Sequence, residues 1–151
     1  MEPAPGLRPE VGALIHYYET LTPAAINRLG DFYAADAQLK DPFNDVSGVP
    51  AIQAVLRRMF EQVEAPCFRF GNSLVQGDEA MLIWDFSYRL PLPLRLLARR
   101  GTYGMHGVSH LRFDAAGKVI YHRDYWDTAE ELYEKLPGVG SLMRGLRRLT
   151  S

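Results

Sequence analysis

Residues 34–45 read AADAQLKDPFND, and this stretch decides how the rest of the chain is interpreted. An amphipathic segment ends just before it at Tyr33, and residues 37–40 then form a short extended run. Asp41 comes next and is followed by Pro42, which biases the preceding residue away from helical geometry and toward an extended one. The sequence therefore predicts a carboxylate fixed at a strand end between apolar neighbours, where it acts either as a buried base or as a turn residue.

The size and composition of the chain are those of one ordinary globular domain. It has 151 residues, 47% of them apolar and 23% charged, with a formal net charge of -1. We expect residues 1–151 to form a single domain with a flexible N-terminus over 1–10. Near-neutral charge gives no case for a nucleic-acid partner. We expect no disulfide, metal site, secretory signal or membrane span, and the default compartment is the cytoplasm.

The first half of the chain has mainly helical periodicity. Residues 11–21 carry apolar side chains at three- and four-residue spacing, which predicts a first helix. Thr22-Pro23 starts a second helix, with the threonine as N-cap and the proline at the first helical position. Residues 44–48 are polar and predict a turn. A third helix opens directly after it at Val49 and is closed by Pro66.

From Cys67 onward the apolar period changes from 3.6 to 2, which predicts strands. The four predicted strands are Cys67–Val75, Ala80–Leu90, Tyr103–Phe113 and Val119–Trp126. A capping-box pattern at 128–131 predicts a further, C-terminal helix. Helices that collect on one face of a curved antiparallel sheet make an α+β fold, here a cone-shaped sheet wrapped by N-terminal helices around an internal pocket.

Two segments outside this pattern are both apolar and basic. One is the link 91–101 between the middle strands, and the other is the amphipathic C-terminal tail 138–151. Such segments can touch an anionic membrane surface or a partner helix. We favour a dimer contact or a flap over the pocket.

Three further features carry a resemblance to a known superfamily. They are the residues 32–37 leading into Asp41-Pro42-Phe43, the stretch 111–119, and the stretch 123–127. Together with the order of elements they resemble the nuclear transport factor 2-like superfamily over about residues 14–126. That superfamily includes ketosteroid isomerases, SnoaL-like polyketide cyclases and limonene epoxide hydrolases. The resemblance implies a ligand pocket that needs no cofactor, and a homodimer.

Ketosteroid isomerases supply one set of candidate residues. They carry an Asp-Pro-Phe in which the aspartate is the general base, so the resemblance implies that role for Asp41. A tyrosine of the first helix stands in their oxyanion hole, and Tyr17 falls at the matching position. Their third group is a protonated aspartate on a late strand. Ser109 occupies that position here and donates a weaker hydrogen bond.

Limonene epoxide hydrolases supply a second set. Their last strand carries a stretch similar to 123–127, and its aspartate activates water together with a carboxylate on an earlier strand. Asp124 matches the first carboxylate and Asp85 lies at about the place of the second. Ile83 stands where the accompanying arginine is expected.

Strand alternation assigns these carboxylates to faces. Both faces around Asp85 are fairly apolar, so this residue either faces the pocket, where desolvation raises its pKa, or forms a satisfied structural pair. His122 and Asp124 lie two residues apart on one face, as a pair that handles protons would. The alternative is that Asp124 pairs with an arginine. On the strand that carries Ser109, the more apolar face should point inward, which leaves His106 and His110 outside.

The first functional hypothesis is an isomerase or cyclase that moves a proton next to a carbonyl group. Asp41 would take the proton, while Tyr17 and Ser109 would hydrogen-bond the enolate oxygen. Asp85 or the His122/Asp124 pair would return the proton. The ligand would be apolar, and the predicted lining residues are Phe43, Met59, Phe60, Ile83, Met105 and Trp126.

Two alternatives belong to other classes. The first is a non-catalytic module that binds a ligand or a protein, since the same fold serves as a binding scaffold. The second is an epoxide hydrolase in which Asp85 and Asp124 surround a water molecule. A deep pocket with convergent polar groups favours an enzyme, and a pocket filled by side chains favours the module.

Overall fold

One curved, unclosed six-stranded sheet is the frame of the protein in the computed structural model, which describes residues 8–92, 94–97, 101–127, 142, 145–146 and 148–149. The strands are β1 (Tyr33–Lys40), β2 (Asp45–Ser47), β3 (Glu64–Gln76), β4 (Glu79–Arg89), β5 (Tyr103–Phe113) and β6 (Val119–Tyr125). Their order across the sheet is β2-β1-β6-β5-β4-β3. Neighbouring strands run antiparallel except β1 and β6, which are parallel.

Helices pack onto this sheet from the N-terminal half of the chain. The helical elements are α1 (Pro9–Glu19), a 3₁₀ helix (Ala24–Asp31), α2 (Val49–Gln62) and the short α3 (Leu94–Leu97). Helix α1 contacts β3, while α2 contacts β1, β2, β3 and the 3₁₀ helix. The predicted α+β class, with helices against a curved sheet, is confirmed.

The core consists of two clusters of buried side chains. The larger joins α1, the 3₁₀ helix and α2 to the sheet, and its fully buried members include Val11, Ile26, Ile52 and Leu111. The smaller cluster is a row of aromatic residues on one face of β4, namely Trp84, Phe86 and Tyr88. Because aromatic side chains at alternate positions of a strand share a face, β4 presents a continuous apolar wall toward the helices.

The predicted elements agree with the structure except in one strand, in the type of one helix and in the link 91–101. Strand β5 has the predicted bounds, 103–113, and the other predicted strands differ by a few residues. Residues 45–47, expected to be a turn, form β2 and pair with β1. Such a short edge strand carries almost no alternation by which to recognise it. The second helix is 3₁₀, and the Thr22 hydroxyl accepts a hydrogen bond from Ala25 N at 3.2 Å at its start.

The link 91–101 contains the short helix α3, which the sequence pattern did not predict. The helix predicted from residue 128 and most of the tail 138–151 lie outside the described residues, so both stay predictions. Among the helices in the described part of the chain, none is long and apolar enough to cross a membrane.

Candidate functional site

A cavity of about 490 Å³ opens between the helices and the sheet. Buried side chains of the inner strands form what we call the floor, and exposed side chains at the end of β1 and on α2 form the rim. The side chains between them are mostly aromatic or aliphatic. Those on the strands include Phe68, Phe70, Phe86, Tyr88 and Met105.

Polar side chains meet at one place in this apolar cavity. The Trp84 indole donates to Ser109 Oγ at 2.9 Å, and the Ser109 hydroxyl donates to Asp124 Oδ1 at 2.5 Å. His122 Nε2 lies 2.7 Å from the same carboxylate oxygen. His122 and Ser109 are buried, and the Asp124 side chain is 24% exposed, so the carboxylate faces the cavity while its partners lie behind it.

Two tyrosines extend this network behind His122. The Tyr33 hydroxyl lies 2.6 Å from His122 Nδ1, and the Tyr18 hydroxyl lies 2.6 Å from that of Tyr33. Burial raises the pKa of Tyr18 and of Tyr33 well above that of a free phenol, so both remain neutral hydroxyls. One arrangement of protons then satisfies every group: Tyr18 donates to Tyr33, Tyr33 donates to Nδ1, and Nε2–H donates to Asp124. We call these six hydrogen-bonded residues the floor network: Trp84, Ser109, Asp124, His122, Tyr33 and Tyr18.

The indole of Trp84 reaches Ser109 because Gly107 has no side chain. Gly107 lies opposite Trp84 on the neighbouring strand β5. A Cβ at this glycine would stand 2.5 Å from two ring carbons of Trp84 and 3.0 Å from the carbonyl oxygen of Tyr125. The first distance is too short for unbonded atoms and the second is tighter than an ordinary contact, so the glycine sets the position of the indole and, through it, the hydrogen bond to Ser109.

Gly107→Ala should therefore displace the Trp84 ring and break its hydrogen bond to Ser109. We expect the free energy of unfolding to fall by about 1–3 kcal/mol, as for other overpacked positions. Urea denaturation measures the loss, and the indole N–H resonance of Trp84 reports the hydrogen bond. Gly104→Ala is the matched control, because the nearest atom to its Cβ would be 4.0 Å away. Equal stability of the two variants would refute the steric role of Gly107.

Asp41 lies at the rim and serves as the cap of its turn. Its Oδ1 accepts hydrogen bonds from the backbone N–H groups of Phe43 and Asn44, both at 2.7 Å. The Asn44 side-chain amide donates to Oδ2 at 3.0 Å. The structure therefore brings Asp41 to the cavity, as predicted, but holds its carboxylate in the turn, which was the alternative left open by the sequence.

Tyr17 does not line the cavity, and the prediction of its position was wrong. Its hydroxyl donates to the carbonyl oxygen of Ala25 at 2.8 Å, and its ring packs against Phe32 with centroids 4.4 Å apart. The tyrosine of α1 that lines the cavity is Tyr18. Consecutive helical residues point about 100° apart, so a difference of one position moves the hydroxyl from the floor to the 3₁₀ helix.

Asp85 lies on the outer face of the sheet, which contradicts the predicted cavity role. Its carboxylate is 74% exposed and lies 2.6 Å from Nδ1 of His106, which is outside as predicted. Ile83 shares that strand face and does not line the cavity either. The cavity face of β4 is instead the aromatic one that carries Trp84. Asp85 and Asp124 are thus on opposite faces of the sheet, and the epoxide hydrolase arrangement does not form.

Of the remaining predicted residues, most line the cavity and one does not. His122, Asp124 and Ser109 come together, and the Ser109 hydroxyl donates to Asp124. The predicted residues that do line the cavity are Phe43, Met59, Met105 and Trp126. Phe60 does not line it, because its side chain packs against the larger core cluster.

Sequence reasoning missed three members of the floor network: Tyr18, Tyr33 and Trp84. A usable signal was present for Trp84, since β5 was correctly assigned its inward face. In an antiparallel pair, residues opposite each other point to the same side, so the β4 face opposite Ser109 had to be inward as well. Among the described residues, no group of three or more His, Cys, Asp or Glu side chains could hold a metal ion.

The fold and cavity define an α+β cone whose pocket has a hydrogen-bonded histidine–aspartate pair at its floor. The model of the SnoaL-like domain family matches residues 14–122, and the chain belongs to this family. No curated protein matches the chain.

Solved structures share this fold at low sequence identity. A protein from Shewanella denitrificans OS-217 described as a SnoaL-like polyketide cyclase is 22% identical, with a TM-score of 0.68, covering 85% of this chain and 97% of that one. A hypothetical protein with a ketosteroid isomerase-like fold from Catenulispora acidiphila DSM 44928, in complex with trimethylamine, is 16% identical, with a TM-score of 0.68 and coverage of 84% and 91%. An LEH-like epoxide hydrolase from M. tuberculosis is 14% identical, with a TM-score of 0.63 and coverage of 91% and 89%. These likenesses concern the fold alone.

Proposed function

We propose that the cavity binds an apolar small molecule and that Asp124, paired with His122, moves a proton next to a carbonyl group of that molecule. The protein would then be an isomerase or a cyclase. The observation that carries this proposal is the floor network, in which two hydrogen-bond donors hold one carboxylate at the floor of a cavity whose walls are mainly apolar.

Asp124 has the features of a positioned general base. Ser109 and His122 both bind its Oδ1, which fixes the carboxylate without adding a cationic arginine or lysine partner. When the carboxylate takes a proton from carbon, the pair of Asp124 and neutral His122 goes from one negative charge to none, and His122 Nε2–H and the Ser109 hydroxyl can still donate to Oδ1. Ser109 and Trp84 act as positioning residues, because the Ser109 hydroxyl donates to Asp124 and the Trp84 indole donates to Ser109.

Tyr18 is the candidate donor to the carbonyl oxygen of the ligand: in the complex its hydroxyl proton would turn from Tyr33 to the ligand, while Tyr33 keeps its hydrogen bond to His122. It lines the cavity, and its raised pKa, caused by burial, keeps its hydroxyl protonated. A neutral donor near the developing enolate oxygen would stabilise negative charge there. This assigns to Tyr18 the role that the resemblance implied for Tyr17.

The cavity favours an apolar ligand of modest size. Its volume of about 490 Å³ is within the range of small-molecule sites, and its walls are mainly aromatic. Flat rings of the ligand would pack against Phe68, Phe86 and Met105 on the strands. The carbon that loses the proton would then lie next to Asp124.

Exchange of ligand protons with solvent tests the proposal. The neutral bicyclic ketone α-tetralone has the required shape and exchangeable protons next to its carbonyl. In deuterium oxide, the wild-type protein should replace these protons by deuterium faster than buffer does, as followed by NMR. If α-tetralone and related bicyclic ketones bind but exchange at the buffer rate, the protein is a binding module and the catalytic proposal is refuted.

A further inference from the structure

A polar pair on α2 stands out at the rim of the cavity. Arg58 and Gln62 both line the cavity and are both exposed, and they are four residues apart. Side chains at this spacing lie one above the other on the same helix face. Met59, which lies between them in the sequence, also lines the cavity and is apolar. Two hydrogen-bonding groups are thus placed together at the entrance to an apolar cavity.

The guanidinium of Arg58 is weakly engaged within the protein. Within the described part of the chain, its one hydrogen bond is to Asn44 Oδ1 at 3.5 Å, at the limit of such a bond. Its neighbour Arg57 lies outside the cavity and donates to Asn27 Oδ1 at 2.9 Å. Among the described residues, Arg58 forms no ion pair with a carboxylate. Because a guanidinium has five N–H donors in a planar fork, most of its capacity is left for a ligand.

Neither of the two carboxylates that line the cavity, Asp41 and Asp124, forms an ion pair with Arg58. The carboxylate of Asp41 is occupied by the N–H groups of its own turn and by the amide of Asn44. Asn44 therefore stands between the two charges, donating to Asp41 and accepting from Arg58. The other carboxylate in the cavity, Asp124, is held by Ser109 and His122.

We infer that Arg58 and Gln62 hold a carboxylate group of the ligand at the rim, so that the natural ligand is an apolar acid. The inference rests on the cavity being the ligand site, as in the proposed function, and adds the ligand's charge to it. A fork of N–H donors matches the two oxygens of a carboxylate, and the Gln62 amide supplies a further donor. The acid group would stay in contact with solvent at the rim while the apolar body fills the cavity down to Asp124.

Two probes of nearly equal shape separate the contribution of the ligand's charge to the affinity from that of its apolar packing. Naphthylacetic acid is an anion at about pH 7, and naphthylacetamide is its neutral counterpart. Isothermal titration of the wild-type protein should show the acid binding about tenfold more tightly than the amide, since charge-assisted hydrogen bonds are stronger than neutral ones. Arg58→Gln should bring the acid to the affinity of the amide and leave the amide unchanged. Arg58→Lys should fall between them, because it keeps the charge but loses the fork.

Arg57→Gln is the matched control, since it removes the same charge one residue away and outside the cavity. It should leave both affinities as they are in the wild type. Equal binding of acid and amide to the wild type, or an equal loss of acid binding in both glutamine variants, overturns the carboxylate assignment while the proton-transfer proposal stands. If neither probe binds, the cavity is not the ligand site and both proposals fail.

Discussion

Asp124→Asn is expected to lower the protein-dependent exchange of α-tetralone protons by at least about 100-fold, the usual contribution of a positioned general base. Asparagine has nearly the same shape as aspartate, and its carbonyl oxygen can still accept hydrogen bonds from Ser109 and His122. Its amide cannot take a proton from carbon. The substitution therefore separates the chemistry from the packing.

The measurement is the rate of deuterium incorporation by NMR, together with the affinity for α-tetralone and the free energy of unfolding. We expect the rate to collapse while the affinity changes less than about threefold, because the interaction that is lost matters most in the transition state. A loss of affinity as large as the loss of rate would instead indicate that Asp124 only binds the ligand.

The chain offers a matched control on the other side of the sheet. Asp85 and His106 form a second aspartate–histidine pair, at 2.6 Å compared with 2.7 Å for Asp124 and His122, but their side chains are 74% and 62% exposed. Asp85→Asn makes the same chemical change outside the cavity and should leave the exchange rate at the wild-type value. If Asp85→Asn slowed exchange as much as Asp124→Asn, the assignment of the base to the cavity would be wrong.

The comparison of these two pairs also explains what sequence reasoning could and could not predict. The alternation of side chains along a strand correctly placed His122 and Asp124 on one face, because residues two apart point to the same side. The same rule cannot say which face of β4 is inward, since both its faces carry apolar side chains and both can be covered. Only pairing with β5, whose inward face is clearly more apolar, assigns Asp85 to the outside.

The prediction of which α1 tyrosine lines the cavity failed for a different reason. The inward stripe of α1 includes both Tyr17 and Tyr18, and each is buried. The resemblance favoured Tyr17 by counting residues to Asp41. The 3₁₀ helix, however, offers the carbonyl oxygen of Ala25 to one tyrosine, and the hydroxyl of Tyr33 is available to the other. Which tyrosine reaches the cavity depends on these tertiary partners, and a spacing in the sequence does not contain them.

The fold was easier to predict than the site because it depends on many weak signals that agree. Helical periodicity, strand alternation and the turn at Asp41 all pointed to a helix-covered sheet, and errors at single positions such as β2 did not change it. The site depends on single hydrogen bonds. Asp41 is the clearest case: its position at the cavity was predicted, but the bonds from Phe43 and Asn44 make it a turn cap.

Alkaline pH is expected to destabilise the protein steeply, because the floor network contains two buried phenols. Burial raises the pKa of Tyr18 and Tyr33 far above the value near 10 of an exposed tyrosine. Below about pH 10 both residues are protonated in the folded and unfolded states, so stability does not depend on them. Above it the unfolded chain releases two protons that the folded protein retains. The free energy of unfolding should then fall by about 1.4 kcal/mol per tyrosine for each pH unit, or about 3 kcal/mol for the pair.

Urea denaturation at intervals between about pH 8 and pH 11 measures this slope. Tyr17 adds to the loss in the same direction, because burial raises its pKa to about 12. Tyr33→Phe should reduce the slope by about one tyrosine's share, and it should also lower stability at neutral pH, since the Nδ1 atom of His122 loses its donor. A stability that stays constant up to about pH 11 would mean that the two phenols are accessible to solvent, and the floor network would then not be closed behind His122.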